Sequence, residues 1–136
     1  MNLQFIPNWA EEEERINRMV TDPTLLAMDP DDWRSLAVLG FPRYVAVREG
    51  KIYLLSFEGT IEKEVKWHYN GPKKRKIAVS LSYTQKVGKE TKRMHKQVTV
   101  KHVLAHLFLE RPEGSRRVGT KDDNFENLHV DNLYWV

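Results

Sequence analysis

The sequence predicts a protein of the α+β class, in which helices and strands occupy different parts of the chain. Three observations indicate this. Helix-capping signals lie before residue 41, apolar residues alternate with polar ones between residues 43 and 100, and apolar residues recur at helical spacing from Val103 to Phe108. At 136 residues, one domain with an appendage is expected, with a core that needs no disulfide or metal.

The composition sets the expected compartment. With no cysteine, the chain forms no disulfide and no cysteine-ligated zinc site, which suits a reducing cytoplasm. The residues from Met1 to Gln4 lack the basic start and the apolar run of a signal peptide. Because no apolar stretch of the sequence is long enough to cross a bilayer, a cytoplasmic protein without a membrane partner is expected.

An acidic helical arm is predicted over residues 1–40. Its first helix begins at Asn8 and ends at Thr21-Asp22-Pro23, and its second begins at Asp29 and ends at Gly40. About forty residues are too few for an independent core, so the arm is expected to pack on the strands or on a partner. A glutamate run in the first helix is either a solvated turn or an acidic patch for a protein partner, formed by Glu11, Glu12, Glu13 and Glu14.

An antiparallel β-meander is predicted after the arm. Residues 43–48 and 51–57 alternate around Glu49-Gly50, which is typical of a β-hairpin. A further strand is expected over residues 60–69, followed by a turn at Asn70-Gly71-Pro72.

A second hairpin is predicted from the alternation between Ile77 and Ser82, a tip at Val87-Gly88-Lys89 and a strand near Val98. Its charge is one-sided, because residues 71–102 contain ten basic residues and a single acid, Glu90.

A run of basic residues lies beside Trp67, His68 and Tyr69. Basic residues next to aromatic ones can neutralise phosphates while bases stack on the rings. A solvated turn that protects an edge strand is the structural alternative, and an acidic protein surface would be an equally suitable partner. The residues predicted to bind nucleic acid or an acidic partner are Lys73, Lys74, Arg75, Lys76, Lys92 and Arg93.

The last segment of the chain combines one helix with a polar loop and an apolar tail. The helix is predicted from Lys101 to Glu110, and Arg111-Pro112 ends it. A polar loop follows, then a helical turn within residues 127–133 and a strand-like tail, Tyr134-Trp135-Val136.

This segment resembles the frame of HNH homing endonucleases, which reads V-H-R-L-V-A-x-A-F, then N-P-x-G, then D/N-H-x-D-G, then N-x-x-x-x-N-L-x-W-V. Val100 to Phe108 matches the first piece and Arg111 to Gly114 the second. A weaker match, Tyr44 to Ile52, covers a Y-x-V-S-N-x-G-x-V element that accompanies such domains in phages. The resemblance implies an HNH-like α+β domain over residues 41–136, with a C-terminal ββα unit after the meander. The last piece of the frame is matched by Asn127, Asn132, Leu133, Trp135 and Val136.

The positions that carry chemistry in this frame are replaced. Thr120 stands where the frame has its catalytic His, and Gly119 stands where it has an Asp or Asn metal ligand. Thr has no group that titrates near neutral pH, and Gly supplies no ligand, so neither base nor metal site is expected. Asn132 retains a ligand position, but one neutral amide holds a divalent ion poorly, and bracing the loop by hydrogen bonds is its alternative role.

Three functions are compatible with these features. The preferred hypothesis is a non-catalytic phage-type regulator in a host bacterial cytoplasm that binds host machinery, above all bacterial RNA polymerase, and alters transcription. The second is a sequence-tolerant DNA-binding protein that does not cleave. The third is a residual metal-dependent nuclease that uses a displaced His, such as His102 or His129. No cofactor is expected for the first two.

Overall fold

A computed structural model of the chain describes residues 20–71, 73 and 76–136. In this part of the chain the strands form antiparallel sheets, and two α-helices are present, α1 (Pro23–Ala27) and α2 (Val100–Phe108). The mixed α and β class predicted from the sequence is therefore confirmed. Among the described residues, no helix is long and apolar enough to span a membrane.

The first sheet has four strands in sequential order, and the predicted hairpin forms its centre. Tyr44 pairs with Leu54 and Ala46 with Ile52, while Gly50 takes a φ of +95° at the tip. Short connections and alternating side chains are sufficient for this arrangement, as the sequence indicated. The strands are β1 (Trp33–Ser35), β2 (Tyr44–Val47), β3 (Ile52–Leu55) and β4 (Ile61–Glu64).

The second sheet has three strands, β5 (His68–Asn70), β6 (Lys76–Val87) and β7 (Glu90–Thr99), in that order. The predicted hairpin tip at Val87-Gly88-Lys89 is confirmed. Strand β5 pairs with β6 only as far as Ala78, whereas β6 and β7 remain paired to Val87 and Glu90. Residues 80–97 therefore form a two-stranded extension, called the ribbon below, that is roughly 25 Å long at the usual rise per residue.

Helix α2 packs its apolar face on both this sheet and the C-terminal hairpin. Val103 and Leu104 are fully buried, in one cluster with Leu81 of β6 and Val130. The C-terminal hairpin consists of β8 (Val118–Thr120) and β9 (Leu133–Trp135), so the predicted strand-like tail is also confirmed. The turn predicted within residues 127–133 is a short 3₁₀ helix, Val130–Asn132.

The described part of the predicted arm packs on the outer face of the first sheet. Val20 and Leu25 are buried against Val45, Val47 and Leu55 in a second, smaller apolar cluster.

Asp22 fixes α1 to the sheet. One carboxylate oxygen accepts hydrogen bonds from the backbone N–H groups of Thr24 and Leu25, and the other accepts one from Ile61 of β4 at 2.8 Å. These bonds, that from Ile61 above all, lower the pKa of Asp22. The predicted helix from Asn8 to Asp22-Pro23, including its four glutamates, lies almost entirely outside the described residues. Its predicted end is described, and there Asp22 and Pro23 begin α1 instead of ending a helix.

The predicted helix from Asp29 to Gly40 was wrong. Asp29 caps a single 3₁₀ turn, Pro30–Asp32, after which β1 pairs Trp33 with Val47. A second 3₁₀ turn, Leu36–Leu39, follows with all four residues buried, and Gly40 closes it at a φ of +94°. Local capping signals are overridden here because four consecutive apolar residues are buried together, which one face of a surface helix could not achieve.

The single strand predicted over residues 60–69 was also wrong, because the chain changes sheets within it. Strand β4 ends at Glu64 and β5 starts at His68, in the other sheet. Val65 still donates its N–H to Ile52 of β3, so the change of sheet takes place at residues 66 and 67.

Candidate nucleic-acid interface and the replaced catalytic frame

The hairpin of β8 and β9 places Gly119 directly opposite Tyr134. A Cβ atom built on Gly119 would lie 2.7 Å from Cζ and 2.8 Å from the hydroxyl oxygen of Tyr134. The Tyr134 ring therefore occupies the space that a side chain at position 119 would need. A ligand from this position, where the HNH frame has Asp or Asn, would require the ring to move.

Asn132 braces the loop between the two strands. Its side-chain oxygen accepts a hydrogen bond from the Asp122 N–H at 3.2 Å, and its amide nitrogen donates to Asp122 Oδ1 and to the Asn127 carbonyl, each at 2.9 Å. Its backbone carbonyl also accepts from Lys121. These hydrogen bonds are the contacts expected for the bracing role, which is the predicted alternative for Asn132.

Asp122 is the centre of the same network. Its carboxylate accepts hydrogen bonds from the Asn127 amide, the Asn124 backbone N–H and the Asn132 amide, each at 2.9 Å. These donors, the Asn127 amide foremost, lower the pKa of Asp122 because they favour the charged form. The next residue, Asp123, has a φ of +58°, at the position where the frame has Gly.

A metal ion does not fit these residues. The Tyr134 ring covers the Gly119 position, Thr120 stands where the HNH frame has its His, and both polar ends of the Asn132 amide are engaged within the loop. Within residues 20–71, 73 and 76–136, no group of three His, Asp or Glu side chains could hold a metal. The polar groups of the loop bond one another and do not form a ligand set for an ion.

The three histidines near the frame lie elsewhere. His102 and His106 are half-buried on α2, and burial lowers the pKa of both, with Lys101 adding to the effect at His102 and Arg111 at His106. His106 contacts the Trp135 ring edge to face, with the ring centroids 4.9 Å apart. His129 caps the 3₁₀ helix, its Nδ1 accepting the Asp131 N–H at 3.1 Å.

The first sheet holds the loop in place through its hairpin tip. The Val130 N–H donates to the Arg48 carbonyl at 2.8 Å, and the Arg48 guanidinium lies 3.5 Å from Asp131. A Cβ on Gly50 would lie 2.6 Å from the Leu128 carbonyl oxygen. The tip therefore fits against the loop so closely that only glycine is accommodated. Arg48 stands where the accompanying phage element has Asn, and no sequence pattern predicts its contact with the loop.

The ribbon presents one face made only of hydrogen-bonding side chains. Because residues paired across an antiparallel ladder point to the same side, the register assigns seven residues whose side chains the structure describes to one face of the ribbon, called the polar face: Ser80, Ser82, Thr84, Thr91, Arg93, His95 and Gln97. Six of the seven are exposed, and the seventh, Ser82, bonds the Tyr44 hydroxyl at 3.0 Å. The strict alternation of β6 was the sequence signal for this face, but its partners in β7 required the register.

The predicted basic residues occupy two places. Lys92 and Arg93 are exposed on opposite faces of the ribbon, Lys92 opposite Gln85 and Arg93 opposite Thr84. Lys73 and Lys76 are exposed beside β5, at the other end of the sheet. Lys74 and Arg75 lie outside the described residues. The structure therefore divides the six predicted residues between two surfaces.

Comparison with known proteins shows a likeness of fold. A solved structure described as DNA binding and cleavage by the HNH homing endonuclease I-HmuI aligns with 80% of this chain at a TM-score of 0.52 and 23% identity. The alignment covers 52% of that endonuclease, so the chain spans about half its length. No family model and no curated protein matches the chain. The HNH-like fold implied by the sequence frame is confirmed at this level.

Proposed function

We propose that the protein binds duplex DNA through the ribbon and does not cleave it by the HNH reaction. The observation that carries the proposal is the polar face, a row of exposed hydrogen-bonding side chains on a two-stranded extension of the sheet. It is supported by the likeness of the fold to an endonuclease whose structure is described as binding and cleaving DNA.

The shape and chemistry of the ribbon suit the major groove. A two-stranded β-ribbon fits into the major groove of B-DNA, where base edges present donors and acceptors. Arg93 can donate two hydrogen bonds to guanine, whereas the Gln97 amide nitrogen is already hydrogen-bonded to the His68 ring. Lys89 and Lys92 are exposed near the tip and can neutralise phosphates on either side of the groove.

Two features of the frame positions support the proposed lack of cleavage. Thr120 cannot accept a proton from water near neutral pH, and the Tyr134 ring lies over Gly119, where a metal ligand would stand. The half-buried His102 and the capping His129 are the histidines that a residual nuclease would have to use. Non-catalytic binding is the simpler function for this geometry.

The test is the salt dependence of binding to a labelled duplex, measured by fluorescence anisotropy. The Lys89→Ala/Lys92→Ala variant should flatten the slope of log K against log salt by roughly 2, since each lost phosphate contact removes about 0.9. The matched control is Lys51→Ala/Lys63→Ala, which removes the same charge from exposed positions of the first sheet. It should leave the slope nearly unchanged. Equal effects of the two variants, or no duplex binding at all, would remove the basis of the proposal.

The predicted partnership with bacterial RNA polymerase stays a prediction. Neither the fold likeness nor a described residue points to that enzyme, and the four glutamates proposed for a protein partner lie outside the described residues. Affinity capture from a bacterial lysate after nuclease digestion tests it. Stoichiometric retention of polymerase subunits would favour polymerase binding over DNA binding as the function.

A further inference from the structure

Three aromatic side chains cluster at the other end of the three-stranded sheet. Trp67 and Tyr69 are 48% and 44% exposed, and their rings contact each other edge to face at a centroid distance of 5.3 Å. Phe125, from the loop before β9, contacts Tyr69 at a centroid distance of 6.2 Å. These three residues are called the aromatic platform below. Part of each ring packs against the protein, but the remaining area is exposed to water, which is unfavourable unless a ligand or partner covers it.

The charge around the platform differs between its Trp67 side and its Asn70 side. Trp67 lines a groove of about 170 Å³ whose charged residues are three glutamates and one lysine: Glu49, Glu64, Glu126 and Lys51. On the Asn70 side, Asn70 of β5 pairs with Lys76 of β6. The Lys76 side chain lies against Gly71, since a Cβ atom built on Gly71 would be 3.3 Å from the Lys76 Cδ.

Two further lysines strengthen the positive end. Lys73 is exposed in the turn after β5, and Lys101 is close enough to Lys76 to feel its charge. Lys101 is half-buried, and its lowered pKa is caused by burial first and by Lys76 second. An anion is therefore attracted beyond Tyr69 and repelled beyond Trp67.

We propose that the aromatic platform stacks unpaired bases of a nucleic-acid strand whose phosphates lie toward Lys73 and Lys76. The rings offer faces and edges on which any base can stack, and the lysines supply the charge for the adjoining backbone. The carboxylates at the Trp67 end limit the site to the few bases that the three rings can contact. This inference rests on the proposed function and adds to it a preference for DNA with unpaired bases beside a duplex.

The same surface fits a protein partner less well. An apolar anchor from a protein could cover the rings, but it would leave the lysines at the Asn70 end without a partner unless it also carried acids. A single nucleotide strand satisfies rings and lysines with one ligand, because base and phosphate alternate along it.

The experiment compares three labelled ligands: a blunt duplex, the same duplex with a short unpaired thymidine overhang, and an eight-nucleotide thymidine oligonucleotide alone. Wild-type protein should bind the overhang duplex roughly five- to tenfold more tightly than the blunt one, as expected from stacking of one base or more. The oligonucleotide should quench tryptophan emission, and Trp67→Phe should remove that quenching.

The test variant is Trp67→Ala/Tyr69→Ala, and the matched control is Phe57→Ala, which removes an aromatic ring that is 90% exposed on the turn between β3 and β4. The test variant should lose the overhang preference and retain binding of the blunt duplex, whereas the control should keep both. If the alanine variant does not fold, Trp67→Phe/Tyr69→Phe should keep the preference while losing the quenching.

The outcomes separate this inference from the proposed function. Equal binding of blunt and overhang duplexes by wild-type protein overturns the platform and leaves the ribbon intact. Failure to bind either duplex overturns the ribbon, and the oligonucleotide then decides: quenching that depends on Trp67 supports the platform, and its absence overturns the platform too.

Discussion

The loop from Lys121 to Asn132 and the ribbon are both rich in polar side chains, but they use them in opposite ways. In the loop, Asp122 and Asn132 bond each other and close a network within a few residues. On the ribbon, Thr84, Arg93 and His95 have no side-chain partner among the residues that the structure describes. Polar groups that satisfy one another stabilise a fold, whereas exposed groups without partners are available to a ligand.

The difference explains how residues of a nuclease-like frame can be retained in a protein that, as we propose, does not cleave DNA. Asn132 belongs to the frame of the HNH resemblance, yet here it works as a structural brace, so its retention does not imply catalysis. The surface that supports function in this account is instead on the sheet, outside the frame.

The largest loss of stability is expected at Gly50, the glycine at the hairpin tip that contacts the loop. Gly50→Ala should lower the free energy of unfolding by about 3 kcal/mol, because the methyl group adds backbone strain and meets the Leu128 carbonyl. Gly40→Ala is a matched control, with a φ of +94° against +95° and no atom within 4 Å of a built Cβ. It should cost only about 1–2 kcal/mol.

Urea denaturation measures both values. Similar losses for the two glycine variants would show that the tip and the loop are not in tight contact.

A smaller effect is expected from the brace itself. Asn132→Ala removes three hydrogen bonds and should cost about 2 kcal/mol, because Asp122 and Asn127 lose their partner. On the ribbon, Thr84→Ala should change stability by less than about 0.5 kcal/mol. Thermal or urea unfolding gives the comparison, and a Thr84 variant as destabilised as the Asn132 variant would abolish the distinction between the two regions.

The smallest effect is a dependence on pH. The hydrogen bonds to Asp122 hold its pKa below the ordinary 3.8, so its contribution is present above 3.8 and is lost as the pH falls through the lower, folded value. Asp122→Asn should therefore reduce the loss of stability in acid. Part of that loss should remain, because the pKa of Asp22 is also lowered.

Urea midpoints at about pH 3 and about pH 6 measure this difference. Asp123→Asn, an exposed change in the same turn, serves as control and should behave like the wild type. An Asp122 variant with an unchanged acid loss would show that the network does not depend on the charge.

The sequence predicted those elements whose signals are local. Both hairpins were predicted because Glu49-Gly50 and Val87-Gly88-Lys89 specify turns within a few residues, and α2 was predicted from its apolar spacing. The segment after Asp29 was not, because its cap and proline signal a helix while the pairing of Trp33 with Val47 depends on a strand far along the chain.

The candidate sites were predictable to a similar degree. Trp67 and Tyr69 were singled out beside the basic run, but Phe125 joins them only through the folded loop. The polar face needed the register of β6 with β7, and the cover of Gly119 by Tyr134 needed that of β8 with β9. Sequence spacing identifies residue types, whereas these sites are defined by contacts between distant segments.

The most direct test of the central claim is to incubate the protein with supercoiled plasmid in Mg²⁺ or Mn²⁺ and to measure binding and nicking in the same samples. Binding without cleavage should give a gel shift that weakens in the Lys92→Ala/Arg93→Ala variant, with no nicked product at any protein concentration. Nicks that accumulate with protein, and that disappear in His102→Ala or His129→Ala, would contradict it and show that the frame still cleaves with a displaced histidine.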